Sequence, residues 1–507
     1  MAIMDAAVAP NTIPPVDVID RFIAVAELYP DHPAVATRSV TVTYRELLLR
    51  VRAFAAQFAV TDSPRVLIAL PQGPDAYAGM FAAALAGGYY VPVNVAAPID
   101  KVMRILRLLK PDVILSSGEL AKALATGTPR VPVILPGVID CGTSYTGRGK
   151  RNETAYVIFT SGSTGEPKGV VIPRFGLDHY VAWLIDHFQF GLADRISQHP
   201  NIAFDLSVMD IYGALCAGAT LFPLVEEHDR MLPARFIARN KLSVWISVPS
   251  VVSLMMRGRE INKDRTGSLR LFAFCGEPLL REHLEAIFGA STTVQVENMY
   301  GPTEATVSMT SLRLNVHNYQ EVCHATAAIG DPIANMGLHL VGGADDDEGE
   351  IAITGPQLAY GYWQDAARSE ERFRPLLVGG NTVRAYFTGD WAERRNGHVY
   401  FKERLDFQVK IRGFRLELDE VEAAIRASGW PMTCVLKWRD RLAAVIECVE
   451  PETFDDAALR RALAKKIEAH GIPEIIRAMP LLPRSENDKL DRAAVAAWLD
   501  SQAGHLS

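Results

Sequence analysis

Y-V-I-F-T-S-G-S-T-G-E-P-K-G-V, residues 156–170, is the stretch from which the fold is read. Tyr156 to Phe159 are aromatic or β-branched and read as a buried strand. Thr160, Ser161, Gly162, Ser163, Thr164 and Gly165 follow, and Lys168 and Gly169 close the run. Glycines let a backbone turn sharply and bring its N–H groups close to an anion; hydroxyls add donors and Lys168 adds charge. The loop is therefore suited to phosphate. It is not a Walker loop, which needs G-x-x-x-x-G-K followed by Ser or Thr. A Ser/Gly linker fits poorly, because the chain re-enters an apolar run at Val170, Val171 and Ile172.

Outward from this loop, short apolar strands alternate with helical segments over the first 330 residues, at Val66–Leu70, Val113–Leu115, Val133–Leu135 and Val244–Val248. That alternation predicts an α/β fold of parallel-rich sheets covered by helices. Ala76 to Val93 is apolar but interrupted by Gly79, Gly87, Gly88 and Pro92, which predicts a core helix and a buried strand rather than a membrane span. Gly337–Val341 and Glu350–Thr354 flank an acidic turn and predict a hairpin in a small β-subdomain. Beyond residue 403 the pattern changes. Phe407–Ile411 reads as a strand, Glu417–Ala427 as a helix, Cys434–Lys437 and Ala443–Cys448 as strands, and Ala457–His470 as a helix. The expected organisation is a flexible N-terminus (1–15), a large core (16–404) and a small mobile α+β domain (405–507).

With 507 residues, 49% of them hydrophobic, the chain can bury a sizeable core. A net charge of −7 gives no support for generic nucleic-acid binding. The six cysteines are scattered without a C-x-x-C pair, so neither a zinc site nor a disulfide framework is expected. The N-terminus lacks a basic region before an apolar core and does not resemble a signal peptide; a cytoplasmic location is expected.

Several further segments, taken in order, resemble the motifs of the adenylate-forming superfamily, and more closely those of the amino-acid adenylation enzymes of nonribosomal peptide synthesis. T-Y-R-E-L (43–47) and G-G-Y-Y-V-P-V (87–93) resemble the first two motifs, and the loop at 160–169 the third. F-D-L-S-V-M-D-I-Y (204–212), N-M-Y-G-P-T-E-A-T (298–306), Y-F-T-G-D (386–390), R-L-D-F-Q-V-K-I-R-G (404–413) and P-R-S-E-N-D-K-L-D-R (483–492) resemble later ones. Two departures stand out: Glu403 occupies a position usually held by glycine, and Asp488 stands where the family more often has glycine before the lysine.

The resemblance implies ATP and Mg²⁺ as nucleotide and metal. The loop residues and Lys168 would bind phosphates. Tyr300 would stack on adenine, with Gly301 beside it. Thr303 would lie near the α-phosphate, and Glu304 would help hold Mg²⁺. Asp390 and Arg404 would bind ribose, Asp406 would be a hinge, and Lys489 would be the catalytic lysine. Asp205 would bind a substrate α-ammonium. The residue itself agrees: a carboxylate set among apolar side chains suits a cationic partner, since burying it unpaired is costly.

The same resemblance places Asp205, Leu206, Met209, Ser247, Ala273, Cys275, Met299, Val307 and Ser308 around the side-chain pocket. Leu206, Met209 and Met299 are bulky, and no charge beyond Asp205 appears, so a small apolar amino acid is expected. F-D-L-S-V-M-D-I-Y, F-A-F-C-G-E and Y-G-P-T-E-A-T-V are similar to the D-alanine–carrier protein ligases. The expected reaction is formation of an aminoacyl-AMP and pyrophosphate, followed by transfer to the phosphopantetheine thiol of a separate, free-standing carrier protein. A loader of a small L-amino acid and an acyl- or aryl-CoA synthetase stand as alternatives. A catalytically silent scaffold would have lost Glu304, Asp390 or Lys489, and all three are present.

Overall fold

The computed structural model describes residues 17–137, 145, 151–160, 167–343, 347–405, 408–484 and 490–503. The expected flexible N-terminus, the loop residues Ser161, Gly162, Ser163, Thr164 and Gly165, the hinge Asp406 and the lysine Lys489 lie outside them.

The quoted stretch forms the strands Thr154–Thr160 and Lys168–Pro173, which pair antiparallel. The short connection 161–167 explains the direction, because a parallel pair needs a crossover of about a dozen residues or more. The same sheet holds Gly361–Tyr362, antiparallel to Lys168–Pro173, and the strands Tyr89–Pro92, Arg65–Ala69, Val113–Ser116 and Val133–Ile134, which run parallel. A second sheet holds Leu271–Cys275, Val244–Ser247, Arg195–Gln198, Thr220–Pro223 and Pro33–Ala36 as a parallel centre, with Gln295–Tyr300 parallel to Leu271–Cys275. Its edges are antiparallel. Parallel-rich sheets with antiparallel margins are thus the observed architecture.

One continuous apolar core joins both sheets. It takes Ile68 and Tyr156 from one, Ile196 and Ile246 from the other, and Phe22, Phe54, Phe81 and Tyr212 from helices between them. The T-Y-R-E-L segment has a plain physical role here. Thr43 caps the helix Tyr44–Phe58: its side chain accepts from the Glu46 N–H, and the Thr43 N–H donates to the Glu46 carboxylate at 2.8 Å. The expected hairpin appears as Gly337–Gly342 against Glu348–Thr354, within a separate antiparallel sheet that also holds Asn381–Arg395.

Residues after 408 build their own core. Helices Leu418–Arg426 and Asp456–Leu463 cover one face of a sheet made of Thr433–Trp438, Arg441–Glu447 and Ile475–Met479, and helix Arg492–Ala503 lies by the other. Four features of this unit depart from the sequence expectation. The strands Phe414–Glu417 and Ile475–Met479 and the helix Arg492–Ala503 were not anticipated. The helix expected to run from Ala457 to His470 ends at Leu463. Past its end, Glu468 pairs with Lys101 at 2.8 Å and accepts from Asn94 at 2.6 Å. Tertiary contact overrides local helix propensity there.

Candidate active site

A cavity of about 1500 Å³ lies between the strand ends of the large core and the C-terminal unit. Thr160, Asp205, Gly301, Thr303, Asp390 and Arg404 reach it from one side; Lys410 and Arg415 reach it from the other. Clefts at the carboxyl ends of parallel strands are the usual ligand sites of open α/β sheets.

Glu304 is the electrostatic centre. It sits in the one-turn helix Thr303–Ala305 and has no exposed surface. Its Oε1 accepts from Lys168 at 3.3 Å and from the Tyr362 hydroxyl at 2.9 Å, and its Oε2 accepts from Arg415 at 2.7 Å. Burial alone would raise its pKa. The Arg415 and Lys168 charges outweigh burial and hold it well below the usual carboxylate range. Lys168 lies 4.7 Å from the centroid of the Tyr362 ring; burial, then Arg415, bring its pKa down to about 8. Among the described residues no group of three or more His, Cys, Asp or Glu side chains could hold a metal ion. A divalent cation at Glu304 would therefore draw most of its oxygens from a nucleotide. That is how Mg²⁺ is commonly held, so the single hard carboxylate fits.

A second cluster is organised by Asp390. Its Oδ2 accepts from the Tyr300 hydroxyl at 2.6 Å, and its Oδ1 from Arg404 at 2.6 Å. Arg404 also donates to the Thr388 carbonyl at 3.1 Å. The two pairings leave Asp390 held from both sides, with lone pairs suited to hydroxyl donors. Gly301 permits a close backbone crossing: a Cβ there would stand 2.5 Å from Ser308 Cα. The crossing segment carries Thr306 and Val307 at positive φ, 55° and 74°. For β-branched residues this is costly and persists only where surroundings impose it. The Met309 N–H donating to the Tyr300 carbonyl at 2.8 Å and the Thr306 hydroxyl donating to the Gln357 carbonyl at 2.7 Å do so.

Asp205 stands at the start of helix Leu206–Leu215 without capping it. Its Oδ2 instead accepts from the Thr303 hydroxyl at 2.6 Å. Burial pushes its pKa upward; the Thr303 hydrogen bond and the charges of Lys410 and Arg415 pull it down, and burial prevails. Leu206, Cys275 and Val307 also line the cavity. Met209, Ala273, Met299 and Ser308 are buried and do not line it. Ser308 donates to the Tyr180 hydroxyl at 3.2 Å and stands 3.8 Å from the Met299 sulfur. Burial raises the Cys275 thiol to about 12, so it is an inert lining group. Ser247 does not join them. Its hydroxyl accepts from the Trp245 indole at 2.9 Å. In register it pairs with Phe274, whereas its neighbour Ile246 pairs with Ala273. Side chains alternate across a strand, so Ser247 faces the other side of the sheet.

The C-terminal unit closes the cavity with the hairpin Gln408–Ile411/Phe414–Glu417. Its two turn residues have positive φ, Arg412 at 51° and Gly413 at 80°, the geometry of a type I′ turn. The Gly413 N–H donates to Glu277, and a Cβ on Gly413 would overlap Val248. Behind the tip, Phe414 stacks on His470 at 3.9 Å and meets Phe204 edge-on at 5.0 Å.

A family model for AMP-binding enzymes matches residues 22–363. The chain belongs to this family, within the adenylate-forming superfamily. It is an adenylating ligase. Among curated members, the D-alanine–D-alanyl carrier protein ligase of Staphylococcus aureus strain JH9 is 29% identical over 501 residues, 95% of this chain and 99% of that one. The same ligase from strain Newman is 30% identical over the same span. Of solved structures, the Vibrio cholerae adenylation domain AlmE in complex with glycyl-adenosine-5′-phosphate is 25% identical with a TM-score of 0.83, covering 98% of this chain and 100% of that one. IdnL7 is 29% identical with a TM-score of 0.72, covering 96% and 100%.

Against this family background, the sequence reading omitted Arg415, Tyr362, Lys410 and the Lys101–Glu468 pair. No sequence signal marked Arg415, because the strand that carries it was not legible. Lys410 and Arg415 are direct partners across the hairpin. Like charges placed opposite each other are unfavourable, so two cations there demand an external partner. No helix among the described residues is long and apolar enough to cross a membrane.

Proposed function

We propose that this ligase activates a small amino acid, D-alanine or one of similar size, and transfers it to the phosphopantetheine thiol of a separate carrier protein. The carrying observation is Asp205: a carboxylate on the cavity wall with the apolar Leu206, Cys275 and Val307, which belong to the same apolar cluster as the buried Met209, Ala273 and Met299. The carboxylate suits an ammonium, and the apolar wall beside it suits a small apolar side chain. The D-alanine ligases among its relatives, and the glycyl-adenylate held by AlmE, support a small substrate.

In the first half-reaction the substrate carboxylate attacks the α-phosphorus of ATP. It is already ionised, so no general base is needed, and catalysis rests on positioning and charge neutralisation. Asp205 holds the ammonium and Thr303 orients Asp205. Asp390, Tyr300 and Arg404 hold the nucleoside, while Thr160 and Lys168 flank the phosphate path. Glu304 would hold Mg²⁺, which when bound supplies countercharge to the phosphates. Lys489 is assigned the neutralisation of the α-phosphate and substrate carboxylate. In the second half-reaction the small domain turns about Asp406, Lys489 leaves, and the thiol attacks the adenylate carbonyl with loss of AMP.

The test is pyrophosphate exchange with both enantiomers of each small amino acid, then product capture with carrier protein and coenzyme A in parallel arms. Exchange driven by small amino acids, abolished in Asp205→Ala and followed by carrier loading, is expected. Strongest exchange with acetate, a fatty acid or a bulky amino acid overturns the substrate reading. Preferential use of coenzyme A overturns the carrier.

A further inference from the structure

Glu304 is expected to hold the metal, yet one of its two oxygens is bound by a side chain from the other domain. Arg415 belongs to the C-terminal hairpin, and its guanidinium lies 2.7 Å from Oε2. The pair is enclosed: the Glu304 side chain has no exposure and that of Arg415 has 15%. Oε1 is engaged separately by Lys168 and Tyr362. Arg415 therefore provides the cation that faces Oε2 in this domain arrangement. A divalent ion arriving at that oxygen would meet a fixed guanidinium and, beyond it, a lysine, both repulsive in a poorly solvated site.

We propose that Arg415 is a built-in counter-ion that competes with Mg²⁺ for Glu304, so that metal loading and docking of the C-terminal hairpin exclude each other. This rests on the adenylation reading above but adds to it a physical reason for the order of the two half-reactions. With metal on Glu304, the contact between Arg415 and Oε2 is broken and the hairpin is released. When metal departs, the buried carboxylate attracts Arg415 again and docks the hairpin, which brings Lys410 and Gly413 into the cavity. Linkage is reciprocal: whatever metal does to docking, docking does to metal affinity. Lys168 cannot serve as the same switch, because it sits on the large core in the strand that follows the phosphate loop and does not travel with the C-terminal unit. Arg415 acts on the chemistry through Glu304 and is a positioning residue.

The experiment follows domain orientation, not turnover. A donor–acceptor dye pair on exposed sites of the two domains reports docking in protein saturated with α,β-methylene-ATP, first in EDTA and then along a Mg²⁺ titration. No amino acid or carrier is present, so a wrong substrate assignment leaves the test intact. Mg²⁺ is expected to lower the docked-to-released ratio of the wild type by about tenfold, and that of Arg415→Gln by no more than about twofold. Glu468→Gln is the control. It removes a different cross-domain contact, so it weakens docking at every metal concentration yet keeps the response to Mg²⁺. Arg415→Lys, which retains the charge, restores a metal response. A full response in Arg415→Gln, or its equal loss in Glu468→Gln, overturns the proposal. Where Arg415→Gln does not fold, Glu304→Gln carries the test: it removes the other half of the pair, and a metal response that survives it is equally fatal.

Discussion

At the scale of single residues, Asp205 shows how burial and its proposed role oppose each other. Its pKa is pushed up because the carboxylate is withdrawn from water. An ammonium substrate reverses that shift, since it favours the ionised form. Only ionised Asp205 pairs with the ammonium, so affinity for the amino acid should fall as pH drops through the raised pKa and level off above it. Binding within that window must release a proton. Calorimetry in buffers of different ionisation enthalpy reads this directly, and Asp205→Asn should abolish both the release and the pH dependence. The sign for stability is opposite. An acid whose folded pKa exceeds its unfolded value favours the fold at low pH, and that contribution is lost as pH rises through the window. Asp205 was legible in the sequence because an acid between apolar residues is conspicuous. Ser247 was misplaced because Val244 to Ser247 are apolar or small throughout, and such a strand does not show which face meets the cavity.

At the scale of elements, the site depends on one close backbone crossing. Gly301 passes against residues 307–309 where no side chain fits, and Val307 holds a conformation that β-branched residues rarely adopt. Gly301→Ala should displace the Val307–Ser308 wall by several tenths of an ångström. Amino-acid-dependent pyrophosphate exchange should then drop by about a hundredfold with the melting temperature lowered far less, because small misplacements of a site cost rate steeply. Exchange within a factor of about three of wild type would contradict the assigned wall. The strand pattern of the large core was readable because parallel buried strands are continuous apolar runs. The hairpin strand Phe414–Glu417 was not, since F-R-L-E is a short element with charges at two of four positions, and Phe414 and Arg415 meet residues of the large core.

At the scale of the whole molecule, the two units are joined by few but directional contacts. Lys101 and Glu468 form an ion pair with each side chain only 11% exposed. Glu468→Gln leaves Lys101 enclosed without its countercharge and should weaken docking by about 1–3 kcal/mol. The expected result is slower transfer to the carrier with adenylation retained, together with faster limited proteolysis between the units. Equal loss of both half-reactions would place Glu468 in general stability instead. The presence of a small α+β unit after a large α/β core was legible from the change in strand and helix pattern. The docking contacts were not, because each joins residues more than a hundred positions apart, and no local pattern records such a pair.

The shared cavity has a consequence for chemical inhibition. Its walls come from two separately folded units, so a compound that spans it binds one domain arrangement and not a rotated one. An adenosine mimic that reaches only Asp390 and Tyr300 touches the large core alone and draws no distinction between arrangements. Extending the same scaffold toward Lys410 would bind both units at once and staple them together. The gain in affinity on extension would then measure how much of the ligase already rests in the docked form.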